Sequence, residues 1–319
     1  MFADATPIVE PDQRFAALDV LFFVIGAQKA GTSWLQAYLR RHPQVCVPVY
    51  KELNYWSTMR GGISAGRMLD RRIAARDKGP ALVRLLRGLF RRDADQSLLL
   101  VQKMFEKELP GHRGYADALF QKLDRQRIAG ELNPQYALLE QATFAEMAAL
   151  ARDVRFAFVM RDPVSRYFSH LKHAVRAEHG ESGVTAERVS DLWQRQLAAG
   201  PDGLCLRRSR YDDTIRKLEA AVRPDRIGYF FFETLFTQAE IDRFCRLIGA
   251  GSVPGAFDRV RNRGGGTSIP MRTDLAQATL ESLAPTYAYL RDRFGDMIPA
   301  SWQTPDATFA ESALVQLQT

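Results

Sequence analysis

Gly26 and Gly31 stand five residues apart in the stretch IGAQKAGTSWL (25–35), with Ser33 two places beyond the second glycine. That is the spacing of a phosphate-binding loop of the form G-x-x-x-x-G-K-[ST]. One position departs: Thr32 occupies the lysine's place, and Lys29 lies inside the loop instead. The residue types still make an anion cradle. Two glycines allow a tight turn whose backbone N–H groups converge on an anion, and a helix after the loop adds the positive end of its dipole. Thr32 and Ser33 add hydroxyl donors, and Lys29 adds a point charge. The plainer alternative is a glycine turn with Thr/Ser capping the next helix.

A second cluster lies in MRDPVSRYFSH (160–170). Arg161 ends an apolar run, and Ser169 follows eight residues later, about two helical turns on. An arginine and a hydroxyl converging at a strand's C-terminal edge suit a second phosphate. Asp162 admits two other readings: the carboxylate that holds a metal in a triphosphatase, or half of an ion pair with Arg161, with Pro163 opening a helix. A third element is KELNYW (51–56), where Glu52 in a loop has the chemistry of a general base for a hydroxyl. A lone loop glutamate is more often just solvated. His170 and His173, one turn apart, read as packing or surface residues, with the role of base as their alternative.

These groups need a scaffold, and the apolar pattern supplies one. Strands are expected at Val20–Ile25, near Val45, at 127–132, at Val154–Met160 and at 226–232. Helices are expected at 32–41, 114–123, 143–151, 163–178, 187–199, 211–222, 241–248 and, as one long element, 275–294. Strands alternating with helices imply an α/β protein: a three-layer fold of the phosphate-loop nucleoside-triphosphatase type, its central parallel sheet covered by helices on both faces. A single domain over 1–319 is expected, with an N-terminal extension at 1–19 and a basic helical insertion at 57–113, a candidate lid on the acceptor side. Within it, 60–92 mixes arginines with a Leu/Val/Phe stripe. This is either a helix packed on the core with solvated arginines, or a cationic wall or peripheral membrane contact.

Lys and Arg number 44 against 37 Asp and Glu, a net charge of +7 with a pI near 9.4. This field favours anionic ligands without choosing among them. Three scattered cysteines, Cys46, Cys205 and Cys245, give neither a disulfide framework nor a zinc pattern. No metal site is expected. The acidic start MFADATPIVEPDQ lacks the order of a signal peptide, and no apolar run is long enough for a membrane span. A soluble, cytoplasmic protein is the expectation, and nucleic acid is not an expected partner.

Together the three segments resemble sulfotransferases that use 3′-phosphoadenosine 5′-phosphosulfate, of the heparan-sulfate type and its bacterial relatives. QKAGTSWL is similar to that family's 5′-phosphosulfate loop, RDPVSRYFSH to its 3′-phosphate motif, and HPQVCVPVYKELNYW to the segment bearing its catalytic glutamate. GELNPQYALL and RYDDTIRKLEAAV also resemble the bacterial members, and the likeness runs over about 21–249. The resemblance implies that Lys29 meets the bridging oxygen between sulfate and phosphate, while Gly31, Thr32, Ser33 and Trp34 hold the 5′ group. It implies that Arg161 and Ser169 hold the 3′-phosphate and that Glu52 and Lys29 are catalytic. RNRGGGT, with Arg263 and Gly264, corresponds loosely to the C-terminal nucleotide loop. Transfer to a hydroxyl, or to an amine, with adenosine 3′,5′-bisphosphate as product and no metal, is what the resemblance implies. The acceptor, a carbohydrate, glycolipid or small metabolite, is left open, as is the oligomeric state. A kinase using Mg·ATP and a non-catalytic nucleotide or polyanion binder remain as alternatives.

Overall fold

The computed structural model describes residues 10–62, 92–106, 108–257 and 269–302. Five strands, β1 (Val20–Gly26), β2 (Val45–Cys46), β3 (Ile128–Leu132), β4 (Val154–Met160) and β5 (Ile227–Phe231), form one sheet in the order β2-β3-β1-β4-β5. Every pairing is parallel, with Val20 opposite Ile128, Leu21 opposite Val154 and Phe156 opposite Ile227. Successive strand residues point to opposite faces, yet β1 and β3 are buried at every position and β4 at all but Arg155. Helices therefore cover the sheet on both sides, which is why these strands read as unbroken apolar runs rather than alternating ones. Phe22, Phe23, Phe156 and Phe158 have 1% exposure or less, and each such ring contributes on the order of 1.5–3 kcal/mol by leaving water.

The chain leaves β1 toward β2 and leaves β4 toward β5, in opposite directions across the sheet. Where neighbouring strands send their helices apart, a crevice opens at their C-terminal ends. The β1 loop and the β4 end, with Lys29 and Arg161, face that crevice.

Most expected elements are found within a few residues, and two differ. The single helix expected over 275–294 is two, Thr273–Ser282 and Ala284–Phe294, parted at Leu283. Pro285 is the reason: its ring clashes with the carbonyl four residues back and it has no N–H to donate. The helix Arg92–Glu106 was not bounded individually, and it falls inside the basic helical insertion expected at 57–113. Residues 63–91 of the basic stretch lie outside the described residues. Among the described residues, no helix is long and apolar enough to cross a membrane.

Candidate active site

The β1 loop has two left-handed backbone positions, Lys29 (φ 73°) and Gly31 (φ 80°). At Gly31 a Cβ would also approach Phe236 Cζ to 3.1 Å and Phe232 Cδ2 to 3.3 Å, so glycine is required twice over. The helix Thr32–Leu39 begins directly after it, with Gly31 as N-cap and no side-chain cap. Capping by Thr32 or Ser33 is thus not their use here, and the first N–H groups, which have no partner within a helix, stay open to an anion. Thr32 is 5% exposed at the first helical position. Trp34 is turned inward: Nε1 donates to the Ala256 carbonyl at 3.2 Å, and the ring stacks on Tyr38 and Phe257. Its side chain ties the loop's helix to residues 253–257. That segment leads to RNRGGGT, whose Arg263 and Gly264 lie outside the described residues.

At the end of β4, Arg161 lays its guanidinium 4.7 Å from the centre of the Phe232 ring, and Nη1 donates to the Lys29 carbonyl at 3.3 Å. One hydrogen bond thereby joins the two anion-binding segments. Asp162 is committed elsewhere. Its Oδ1 accepts from Ser165 N at 2.7 Å, capping the helix Pro163–His179, and its Oδ2 accepts from Tyr287 Oη at 2.6 Å. Neither the metal ligand nor the ion pair with Arg161 is therefore the reading the geometry favours. Ser169 is half-buried on this helix, which also carries Lys172 and Arg176.

Lys29 is pushed down to about 8, by burial first and then by the charges of Arg161, Arg176, Lys51 and Lys172. Burial also holds the Arg161 guanidinium below its ordinary range. These cations crowd one loop, an arrangement that favours anions over neutral ligands.

Glu52 sits in a left-handed conformation (φ 58°), as does Asn54 (φ 61°), whose Nδ2 donates to the Glu52 carbonyl at 2.7 Å. Lys51 Nζ lies 3.2 Å from Glu52 Oε1 and 2.5 Å from Ser33 Oγ. One ammonium thus bridges the carboxylate and the phosphate-type loop. Beneath, Glu131 on β3 is fully buried and accepts four hydrogen bonds. Leu53 N (2.7 Å) and Asn133 Nδ2 (3.1 Å) reach Oε1; Tyr115 Oη (2.8 Å) and Tyr136 Oη (3.0 Å) reach Oε2. Burial pushes this carboxyl above the usual range despite those donors. Two neighbours of Glu52 are therefore fastened, one by its own side chain and one to the sheet.

The remaining wall holds Arg208, whose guanidinium donates to Gln28 Oε1 (2.8 Å) and Gln135 Oε1 (2.5 Å) and lies 3.5 Å from His170 Nε2. His170 is pushed down to about 3, by burial first and then by Arg208. So weak a base is poorly matched to taking a proton near neutral pH. His173 is exposed on the same helix, within reach of the charges of Lys29 and Glu52. Lys51, Glu131 and Arg208 were missed from sequence. Lys51 adjoins the glutamate, and Glu131 is a lone acid in the apolar strand IAGEL, so both left a trace. Arg208 left none.

The model of the sulfotransferase family matches residues 22–240. No curated protein matches the chain. A solved sulfotransferase from Alicyclobacillus acidocaldarius is similar over 88% of this chain and 98% of its own, with a TM-score of 0.59 at 21% identity. The sulfotransferase domain from the Synechococcus PCC 7002 olefin synthase aligns over 86% of this chain and 96% of its own at 16% identity, with a TM-score of 0.49. A sulfotransferase from Mycobacterium avium aligns over 88% and 77% at 14% identity, with a TM-score of 0.44. At 21% identity the likeness to the Alicyclobacillus acidocaldarius protein is one of fold. The family match spans most of the chain, from β1 through β5 and past every described site residue, so the chain belongs to the sulfotransferase family.

Proposed function

We propose that this chain moves a sulfuryl group from 3′-phosphoadenosine 5′-phosphosulfate to an acceptor hydroxyl, with Glu52 as general base and no metal. The observation that carries this is the Lys51 bridge: a carboxylate held 3.2 Å from an ammonium that also touches the loop hydroxyl of Ser33. A phosphate-binding site alone has no need of that carboxylate. The bound nucleotide supplies the sulfuryl group and a phosphate leaving group. Gly31, Thr32 and Ser33 offer N–H and hydroxyl donors to its 5′ end, and Lys29 holds a cation where negative charge grows. Arg161, joined to the loop through the Lys29 carbonyl, and Ser169 would hold the 3′-phosphate. Glu52, in its fastened loop, takes the acceptor proton. A carbohydrate, glycolipid or small metabolite would serve as acceptor.

Titration with adenosine 3′,5′-bisphosphate and with ATP, each with and without EDTA, tests the reading. Tight, metal-independent binding of the bisphosphate is expected, and a preference for Mg·ATP would sink it in favour of a kinase. Against the kinase stands Asp162, whose two carboxylate oxygens already accept from Ser165 N and Tyr287 Oη. In the same protein Glu52→Gln should keep bisphosphate affinity and lose turnover by about a hundredfold or more. Near-normal turnover would remove Glu52 from its role.

A further inference from the structure

We propose that Arg208 recognises the acceptor, and that the acceptor carries an acid group, a carboxylate or a phosphate, beside the hydroxyl that receives the sulfuryl group. The proposal rests on the sulfuryl-transfer reading above.

Position comes first. Arg208 is bonded to Gln28, in the loop after β1, and to Gln135, in the turn after β3. In the sheet order β3 lies between β1 and β2, on the side away from β4 and Arg161. The Leu53 N–H bonded to Glu131 brings the Glu52 loop to the same end of β3. Arg208 thus stands between the base and the phosphosulfate loop, which is where an acceptor must lie for its hydroxyl to face both.

Charge comes second. Among the described residues no carboxylate pairs with Arg208; its hydrogen-bond partners are two amide oxygens and His170, which is neutral. The group stays cationic at neutral pH although burial pulls it down to about 10. The nearest carboxylate acting on it is that of Glu52, through space and without a hydrogen bond, so the guanidinium has no anion in direct contact.

Donor count comes third. A guanidinium has five N–H donors, and three hydrogen bonds account for three of them. Nε is buried and finds no acceptor among the described residues, and nor does Nδ1 of the neighbouring His170. An unmade buried hydrogen bond is costly, and a planar or tetrahedral oxyanion taking two N–H groups from one arginine relieves it. The residue is not fully enclosed. Lys29 and Arg161 already serve the nucleotide, so this third cation is left for the other substrate.

The test uses protein labelled with nitrogen-15 and saturated with adenosine 3′,5′-bisphosphate. Glycolate, hydroxyethyl phosphate and neutral glycolamide are titrated while the Arg208 Nε–H resonance, assigned by its loss in Arg208→Lys, is followed. At least one of the two acids should shift that resonance and bind about tenfold tighter than the amide. Which acid does so tells carboxylate from phosphate. Arg208→Gln should erase the preference and leave bisphosphate affinity within about twofold, since neutral partners alone then remain. Equal binding of acids and amide would overturn the proposal. So would a loss of bisphosphate affinity in Arg208→Gln, which would move the residue to the nucleotide. Failure of the wild-type protein to bind bisphosphate would count against the transfer reading, and the acid titration on nucleotide-free protein would still judge Arg208.

Discussion

Lys29 is the residue whose surroundings say most about its ligand. In the free protein its charged form is disfavoured by burial and by four neighbouring cations, which brings it down to about 8. An anion in the loop favours the charged form, so the bound pKa must exceed the free one. Binding of adenosine 3′,5′-bisphosphate should therefore take up protons around pH 8 and little near pH 6, where Lys29 is already charged. Affinity should fall as pH rises through about 8. Calorimetry in buffers of different ionisation enthalpy measures the uptake, and proton release in that window would contradict it. Arg161 makes a sharper distinction. Arg161→Ala should cost about tenfold or more in affinity for the 3′-phosphorylated nucleotide and far less for its 3′-hydroxyl analogue. Equal losses for the two would take Arg161 off the 3′ end.

The loop 51–54 is held in its shape by Glu131 of β3, which is fully buried beneath it. Glu52 and Asn54 both occupy the left-handed region, a conformation that costs about 1–2 kcal/mol for a side-chain residue. The strain is offset by the Asn54 bond to the Glu52 carbonyl and by Glu131 receiving Leu53 N. Glu131→Ala strands the Leu53 N–H and two tyrosine hydroxyls in the core and should cost about 1–3 kcal/mol for each group left unpaired. Turnover should drop while bisphosphate affinity holds, because Glu131 touches the base loop and not the β1 loop. Glu131→Gln, which can still accept from Leu53 N, should recover most of the turnover. If turnover fell only in step with the folded fraction, the role of Glu131 would be stability alone. The glycine turn is stiffer still. Gly31→Ala meets Phe236 and Phe232 in a left-handed backbone, so melting temperature and bisphosphate affinity should both fall.

At the scale of the molecule, a net charge of +7 surrounds a crevice that concentrates Lys29, Lys51, Arg161 and Lys172. Such focusing speeds the arrival of a multiply charged nucleotide and is screened within a Debye length of about 8 Å at physiological salt. The association rate of bisphosphate should thus fall steeply with added salt, while dissociation changes less; stopped-flow measurement of both rates decides. The helix after the β1 loop and the turn that follows it also brace the distant segment 251–257: Trp34 reaches Ala256, Tyr38 reaches Val253 and His42 reaches Gly251. The chain thereby returns to the crevice near its C-terminal third.

The glycine loop, the apolar strands and the Arg-Asp-Pro start of the long helix were all legible from sequence. Each is a local property: period, turn chemistry and capping act within a few residues of themselves. The break at Pro285 escaped that reading, because the apolar period runs through it and a single helix was expected. The family followed from the order of three such local segments. The rest depended on contacts across the chain. The depressed Lys29, the four bonds on Glu131 and the clamp of Arg208 on Gln28 and Gln135 join residues up to 180 positions apart. Only the parallel sheet, by placing β3 beside β1 and setting the loops that follow the strands at one edge, brings them together, because pKa, burial and hydrogen-bond partner are properties of neighbours in space.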